Sequence, residues 1–269
     1  MTSELPLIDR AIIEISGSDR KKFLQGLISN DANKINNKAL IYSVMLNSQG
    51  RFLYDFFIFE KNDHLFLDCL AVRRDEIIQK LNLYKLRSKV EIKKNDELKV
   101  SWSLSEGQFI DPRNPNLGHR TYSSSPTPNA LPLTPYHLNR INLKIPESEN
   151  DLTYEKSFVL EFGFDNLNAI SYEKGCYVGQ ELTSRTHYKG EIRKKVFHLK
   201  ISGLSHIEKN HEITCEGKSA GIILSCALLG SELHALALIK ASEQNEYDSI
   251  IKKLELKDYQ NSSKITVVS

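Results

Sequence analysis

Hydrophobic and polar positions change period several times along the chain, and each change marks an element. Aromatic and aliphatic runs occupy Leu40 to Leu46, Phe52 to Phe59 and His64 to Leu70. Asn47-Ser48-Gln49-Gly50 and Glu60-Lys61-Asn62-Asp63 separate them. Short apolar runs divided by turn-forming residues predict a three-stranded meander. Upstream, Ser18 and Asp19 are placed to cap a short helix through Leu27, with Phe23, Leu24 and Leu27 on one face. Downstream, Ile77, Ile78, Leu81 and Tyr84 recur at helical spacing across Arg73 to Tyr84, and strands follow near Val90 and Val100. A meander flanked by helices and further strands is an α+β unit.

Six of the eight prolines fall between Pro112 and Pro135, with Ser123 to Ser125 among them, so this stretch reads as a long irregular crossing. Leu152 to Phe162 then has helical composition. Beyond Arg193 the pattern becomes short β runs at Val196–Ile201, Glu212–Cys215, Gly221–Leu228 and His234–Ile239, with Glu216-Gly217-Lys218 and Gly230-Ser231 as turns. Both a small barrel and an open antiparallel sheet satisfy that pattern.

Bulk composition narrows the function classes. Lys and Arg total 36 against 34 Asp and Glu, a net charge of +2 that carries no global nucleic-acid footprint. Cys69, Cys176, Cys215 and Cys226 are scattered without a C-x-x-C pair, which indicates neither a zinc site nor a disulfide framework and fits a reducing compartment. Eight histidines show no paired metal-ligand spacing. No apolar run reaches the roughly 18 residues of a membrane-spanning helix.

The densest chemistry lies in Lys174-Gly175-Cys176-Tyr177-Val178-Gly179-Gln180-Glu181, followed by Arg185. Glycines permit tight turns or close approach, and from Tyr177 onward the residues suit a helix with Glu181 and Arg185 as an i,i+4 pair. Cys176 is then expected at or just before a helix N-terminus, where exposed amides and the Lys174 charge favour a thiolate. The alternative is a small buried hydrophobe at a helix entry. Next comes a basic run, Arg185, Lys189, Arg193, Lys194, Lys195 and Lys200 against Glu191 alone, either a solvated face or an anchor for an anionic tail.

The signature resembles that of the YgfZ family of folate-binding proteins, relatives of the aminomethyltransferase of the glycine cleavage system. Ile13 to Asp19 with Phe23-Leu24-Gln25-Gly26-Leu27 and Asn30-Asp31 resembles the family's opening. Met45 to Arg51 resembles its hairpin, and Asp111-Pro112-Arg113 with Leu117 to Arg120 its central loop. Tyr136, Arg140 and Ile145-Pro146-Glu147 resemble the segment before the signature. The resemblance implies an α+β three-lobed ring closed by a C-terminal β-barrel. The first lobe is expected at 1–39 plus 111–192, an inserted lobe at 40–110 and the barrel at 193–269.

What the resemblance implies about function is a tetrahydrofolate-binding accessory protein for assembly or repair of iron–sulfur clusters in client enzymes, such as tRNA-modifying enzymes. The alternative is a folate-dependent aminomethyltransferase. Cys176 is the expected reactive thiol, and Asp55, Glu161, Lys174, Gln180, Glu181, Arg185 and Arg193 are the expected ligand contacts. Glu161 stands where relatives place an acid, in Phe158-Val159-Leu160-Glu161 instead of Phe-Pro-x-Glu, and is otherwise an exposed helix acid. Transferases carry adjacent acids after the hairpin glycines; here Tyr54-Asp55 and Arg51 replace that arrangement, so turnover is expected to be lost and Asp55 to be a ligand contact or a strand residue. Because the pattern begins close to Met1, leaving no space for an Arg-rich transit sequence, a bacterial cytoplasmic protein is expected. No membrane and no nucleic-acid partner is expected.

Overall fold

The structure, a computed structural model, describes residues 4–125, 133–243, 246–259 and 263–268. Two compact units divide the chain: residues 1–132 with 164–185, and residues 133–163 with 186–269.

In the first unit the predicted meander forms as Ile41–Leu46, Phe52–Lys61 and His64–Leu70, all antiparallel. Arg10–Ser16 and Glu91–Asn95 extend it to five strands. Phe52 to Phe59 are buried at every position, with no alternation, because both faces of this central strand are covered. A four-stranded sheet runs in the order Leu5–Pro6, Lys99–Ser103, His119–Ser123, Phe109–Ile110. Lys99–Ser103 is the strand expected near Val100, whereas His119–Ser123 falls within the segment read as an irregular crossing; 126–132 lies outside the described residues. Helix Arg74–Lys85 appears where its spacing predicts it, burying Ile77 and Leu81.

The first helix is shorter than its pattern suggests, spanning Arg20–Gln25. Asp19 does not cap it: its carboxylate accepts instead from the Lys89 amide at 2.7 Å, joining the helix start to the segment before strand Glu91–Asn95.

The second unit is built on a six-stranded antiparallel sheet ordered Leu254–Leu256, Glu212–Cys215, Lys218–Leu229, Glu232–Lys240, Lys194–Ser202, Lys264–Val268. Its edge strands come within 8 Å of each other, so the sheet curls into a half-barrel around Leu199, Ile201, Ile213, Ile223, Leu233 and Ile239. Helix Thr134–Asn142 packs on its Lys218–Leu229 strand. Leu152 to Phe162 is not a helix: only Val159–Phe162 forms a single 3₁₀ turn, after Glu155 adopts a left-handed φ of 57°.

Candidate functional site

Cys176 is exposed, which removes the buried-hydrophobe alternative. The other thiols differ. Cys69 is buried and its pKa is pushed up to about 12 by desolvation, while burial also raises Cys226. The helix after the signature begins at Gln180, so Tyr177 to Gly179 separate Cys176 from its first turn. Dipole effects fade within one turn, so position in the loop, not a helix end, defines this thiol.

Three local devices fix the loop. Lys174, 8% exposed, donates from Nζ to the carbonyls of Gln25 (2.8 Å), Ile28 (2.6 Å) and Asn30 (2.8 Å), which uses every N–H of an ammonium. Its pKa is lowered to about 8 by desolvation, opposed by the charge of Asp31. The Val178 amide donates to the Gly26 carbonyl at 3.1 Å. Gly179, at φ 83°, leaves no room for a side chain, since a Cβ there would lie 2.5 Å from the Asn47 carbonyl oxygen and 3.2 Å from Gly50 Cα. Close approach is thus required of Gly179, whereas Gly175 has open space around it. Gln180 braces the helix entry by accepting from the Tyr177 amide at 3.3 Å.

The structure therefore brings Lys174, Cys176 and Gln180 into one rigid loop, with Glu181 and Arg185 exposed on the following helix and forming no ion pair with each other among the described residues. Asp55 belongs to the same unit but sits inside the sheet, 2% exposed, accepting from the Tyr42 hydroxyl at 2.9 Å. Nearby, Arg120, Arg113 and Asp111 are completely buried with Asp68. Arg120 reaches Asp68 at 3.0 Å and Asp111 at 3.3 Å, and its guanidinium lies 3.6 Å from the centre of the Phe57 ring. Desolvation is the largest single influence on Asp111 and raises its pKa, but Arg113 and Arg120 together outweigh it and hold the carboxyl below its usual range. Arg113 fastens its own loop to this sheet, through Asp111 and over the Tyr42 and Phe57 rings.

Glu161 and Arg193 belong to the second unit. Glu161 is partly buried in the 3₁₀ turn and its Oε2 accepts from Lys194 at 3.1 Å. Arg193 is exposed, and its guanidinium meets Glu191 at 3.4 Å. Tested against a folate, Asp55 and Lys174 do not fit a ligand role, because one is sealed and the other is spent on carbonyls. Glu161 does fit. The carbonyls of Gln25, Ile28 and Asn30 escaped the sequence reading, because main-chain acceptors leave no residue-type signal.

In overall fold the chain matches glycine cleavage system aminomethyltransferase T from Bartonella henselae. The TM-score is 0.72 with 14% identity, over the whole of this chain and 85% of that one. The protein thus has the aminomethyltransferase fold, an α+β fold with a curled C-terminal sheet, here carrying one exposed loop thiol. No family model matches. Among curated proteins, the mouse mitochondrial iron–sulfur cluster assembly factor IBA57 is 30% identical over 82% of this chain and 70% of its own length. The Pyricularia oryzae homologue is 31% identical over 78% of this chain, and the Neurospora crassa homologue 36% over 71%. The chain belongs to the IBA57 family. It spans 62% and 52% of those two fungal relatives. The expected bacterial cytoplasmic setting is corrected by these comparisons, since the mouse, human and fungal relatives are all named mitochondrial. Where a chain starts carries no weight against that.

Proposed function

We propose that the chain works as an iron–sulfur cluster assembly factor in which Cys176 supplies one thiolate ligand to a cluster in transit. The observation that carries this reading is an exposed thiol on a loop immobilised by Lys174 and Gly179. Clusters are held by several ligands, commonly four cysteine thiolates. Among the described residues no group of three or more His, Cys, Asp or Glu side chains is placed to hold a metal ion. The remaining ligands would come from a partner protein, and ligation would release the thiol proton. The names of the relatives support the class of activity.

In cells lacking the endogenous protein, Cys176→Ser is expected to fold normally yet fail to restore cluster-dependent enzymes. Full restoration by that variant would refute the reading.

A narrower form adds a bound reduced folate and clients such as tRNA-modifying enzymes, as the YgfZ resemblance implies. The aminomethyltransferase fold and the partly buried carboxylate of Glu161 support it. When bound, a folate would offer its amino-pyrimidine edge to that carboxylate. Calorimetric titration of tetrahydrofolate is expected to give saturable heat with wild type and about tenfold weaker binding for Glu161→Ala; a flat titration with wild type removes the folate.

A further inference from the structure

The first unit holds a second feature that the loop thiol does not use. A groove of about 810 Å³ is lined by Phe23, Leu27, Tyr84 and Leu86, with Lys22 and Arg87 among its polar lining. Phe23 and Leu27 are buried, whereas Leu83, Tyr84 and Leu86 are 77%, 42% and 88% exposed. Leucines so exposed beside an apolar groove are unusual for a surface that stays bare.

The charged groups of the groove lining are Lys22 and Arg87 against Asp19, an excess of one positive charge. Lys22 and Arg87 form no ion pair among the described residues. The one acid in the lining, Asp19, has its carboxylate occupied by the Lys89 amide at 2.7 Å and by the Ser18 hydroxyl at 3.5 Å.

The groove is also preformed. Gly17, at φ 103°, allows the Lys89 carbonyl to approach where a Cβ would meet it at 2.1 Å. That contact holds the segment after helix Arg74–Lys85 against the turn that precedes helix Arg20–Gln25.

We propose that this groove seats an acidic amphipathic helix of the partner protein that brings the remaining cluster ligands. Apolar anchors at i, i+3, i+4 and i+7 would enter between Phe23, Leu27, Tyr84 and Leu86, and flanking carboxylates would meet Lys22 and Arg87. A concave surface favours a helix over a lipid bilayer, which would need the apolar residues on a protruding face. The groove is tied to the site already described. The helix that contributes Phe23 ends at Gln25, whose carbonyl receives Lys174, and the next carbonyl, that of Gly26, receives the Val178 amide. A helix seated there lies beside the Cys176 loop, so the inference rests on the proposed function and supplies its partner.

The test uses the full chain and a fluorescein-labelled helical peptide with leucines at i, i+3, i+4 and i+7 and glutamates between them, followed by fluorescence anisotropy. Expected is saturable binding that weakens with added salt and falls about tenfold in both Arg87→Glu and Leu86→Asp. Circular dichroism melts unchanged from wild type would verify that both surface variants fold. Cys176→Ser is expected to bind the peptide like wild type while failing in cluster delivery, so the two readings fail separately. Absence of saturable binding, binding by either groove variant as tight as that of wild type, or sedimentation with phosphatidylserine vesicles in place of peptide binding would each overturn the proposal.

Discussion

Burying an ammonium is costly unless each N–H finds an acceptor, and Lys174 meets that condition with three main-chain carbonyls. Replacing it by Met would leave those carbonyls without their donor, at a cost of about 3 kcal/mol. The expected signature is a lowered melting temperature together with faster hydrogen exchange at Tyr177 and Val178; unchanged exchange would show that the clamp does not hold the loop. Arg120 is the more severe case. It bridges Asp68 and Asp111 with no solvent access, so Arg120→Leu removes two buried ion pairs at once, leaving Arg10 on Asp68 and Arg113 on Asp111, and is expected to cost about 3–5 kcal/mol in urea denaturation. Sequence alone shows the signature and the exposed-thiol chemistry it allows, but assigns Lys174 an electrostatic role. The structure gives it a mechanical one, because its partners are carbonyls that any residue would carry.

Among the elements, those whose burial follows local pattern were readable. The meander and the C-terminal strands lie within two or three residues of their apolar runs, since each run is bounded by turn formers such as Glu216 and Gly217, both at positive φ. Leu152 to Phe162 misled because helical composition was overridden by the burial of Val159, Leu160 and Phe162 in one tight turn ending at Gly163, φ 71°. Helix Thr134–Asn142 was hidden among prolines, although Pro135 occupies a first-turn position that a helix tolerates.

The turn carrying Gly179 yields its own prediction. Gly179→Ala combines an unfavourable φ with a backbone clash and is expected to cost about 2 kcal/mol and to increase the alkylation rate scatter of Cys176 across temperature. A second concerns the half-barrel, where His198 Nε2 and His234 Nδ1 lie 2.9 Å apart in the interior. Desolvation first, then the charges of His234, Lys200 and Lys144 against Glu232, lowers His198 to about 4. Below pH 6.5 the unfolded state therefore binds more protons than the folded one. Stability is full above 6.5 and declines as pH falls toward 4. His198→Gln is expected to flatten that decline in thermal melts; an unaltered acid slope would rule out this pair as its source.

For the whole molecule, the informative fact is that neither unit is continuous. Phe164 packs its ring against Tyr42 and Phe52, and Lys174 clamps the first helix, so residues 164–185 complete a unit begun at the N-terminus. A fragment of residues 1–132 lacks both and is expected to unfold at lower temperature and less cooperatively than the full chain, as calorimetry would show. No local pattern reveals this, since the completing segment is separated by 31 residues assigned to the second unit.

That interleaving bears on how the protein is made. A ribosome delivers the N-terminal sheets long before the segment that finishes them, so the nascent first unit waits, with Tyr42, Phe52 and the carbonyls of Gln25, Ile28 and Asn30 uncovered, until residue 185 has emerged. The cysteine-bearing loop thus arrives with the last segment of its unit, and the thiol becomes presentable only when the sheets beneath it have already been made.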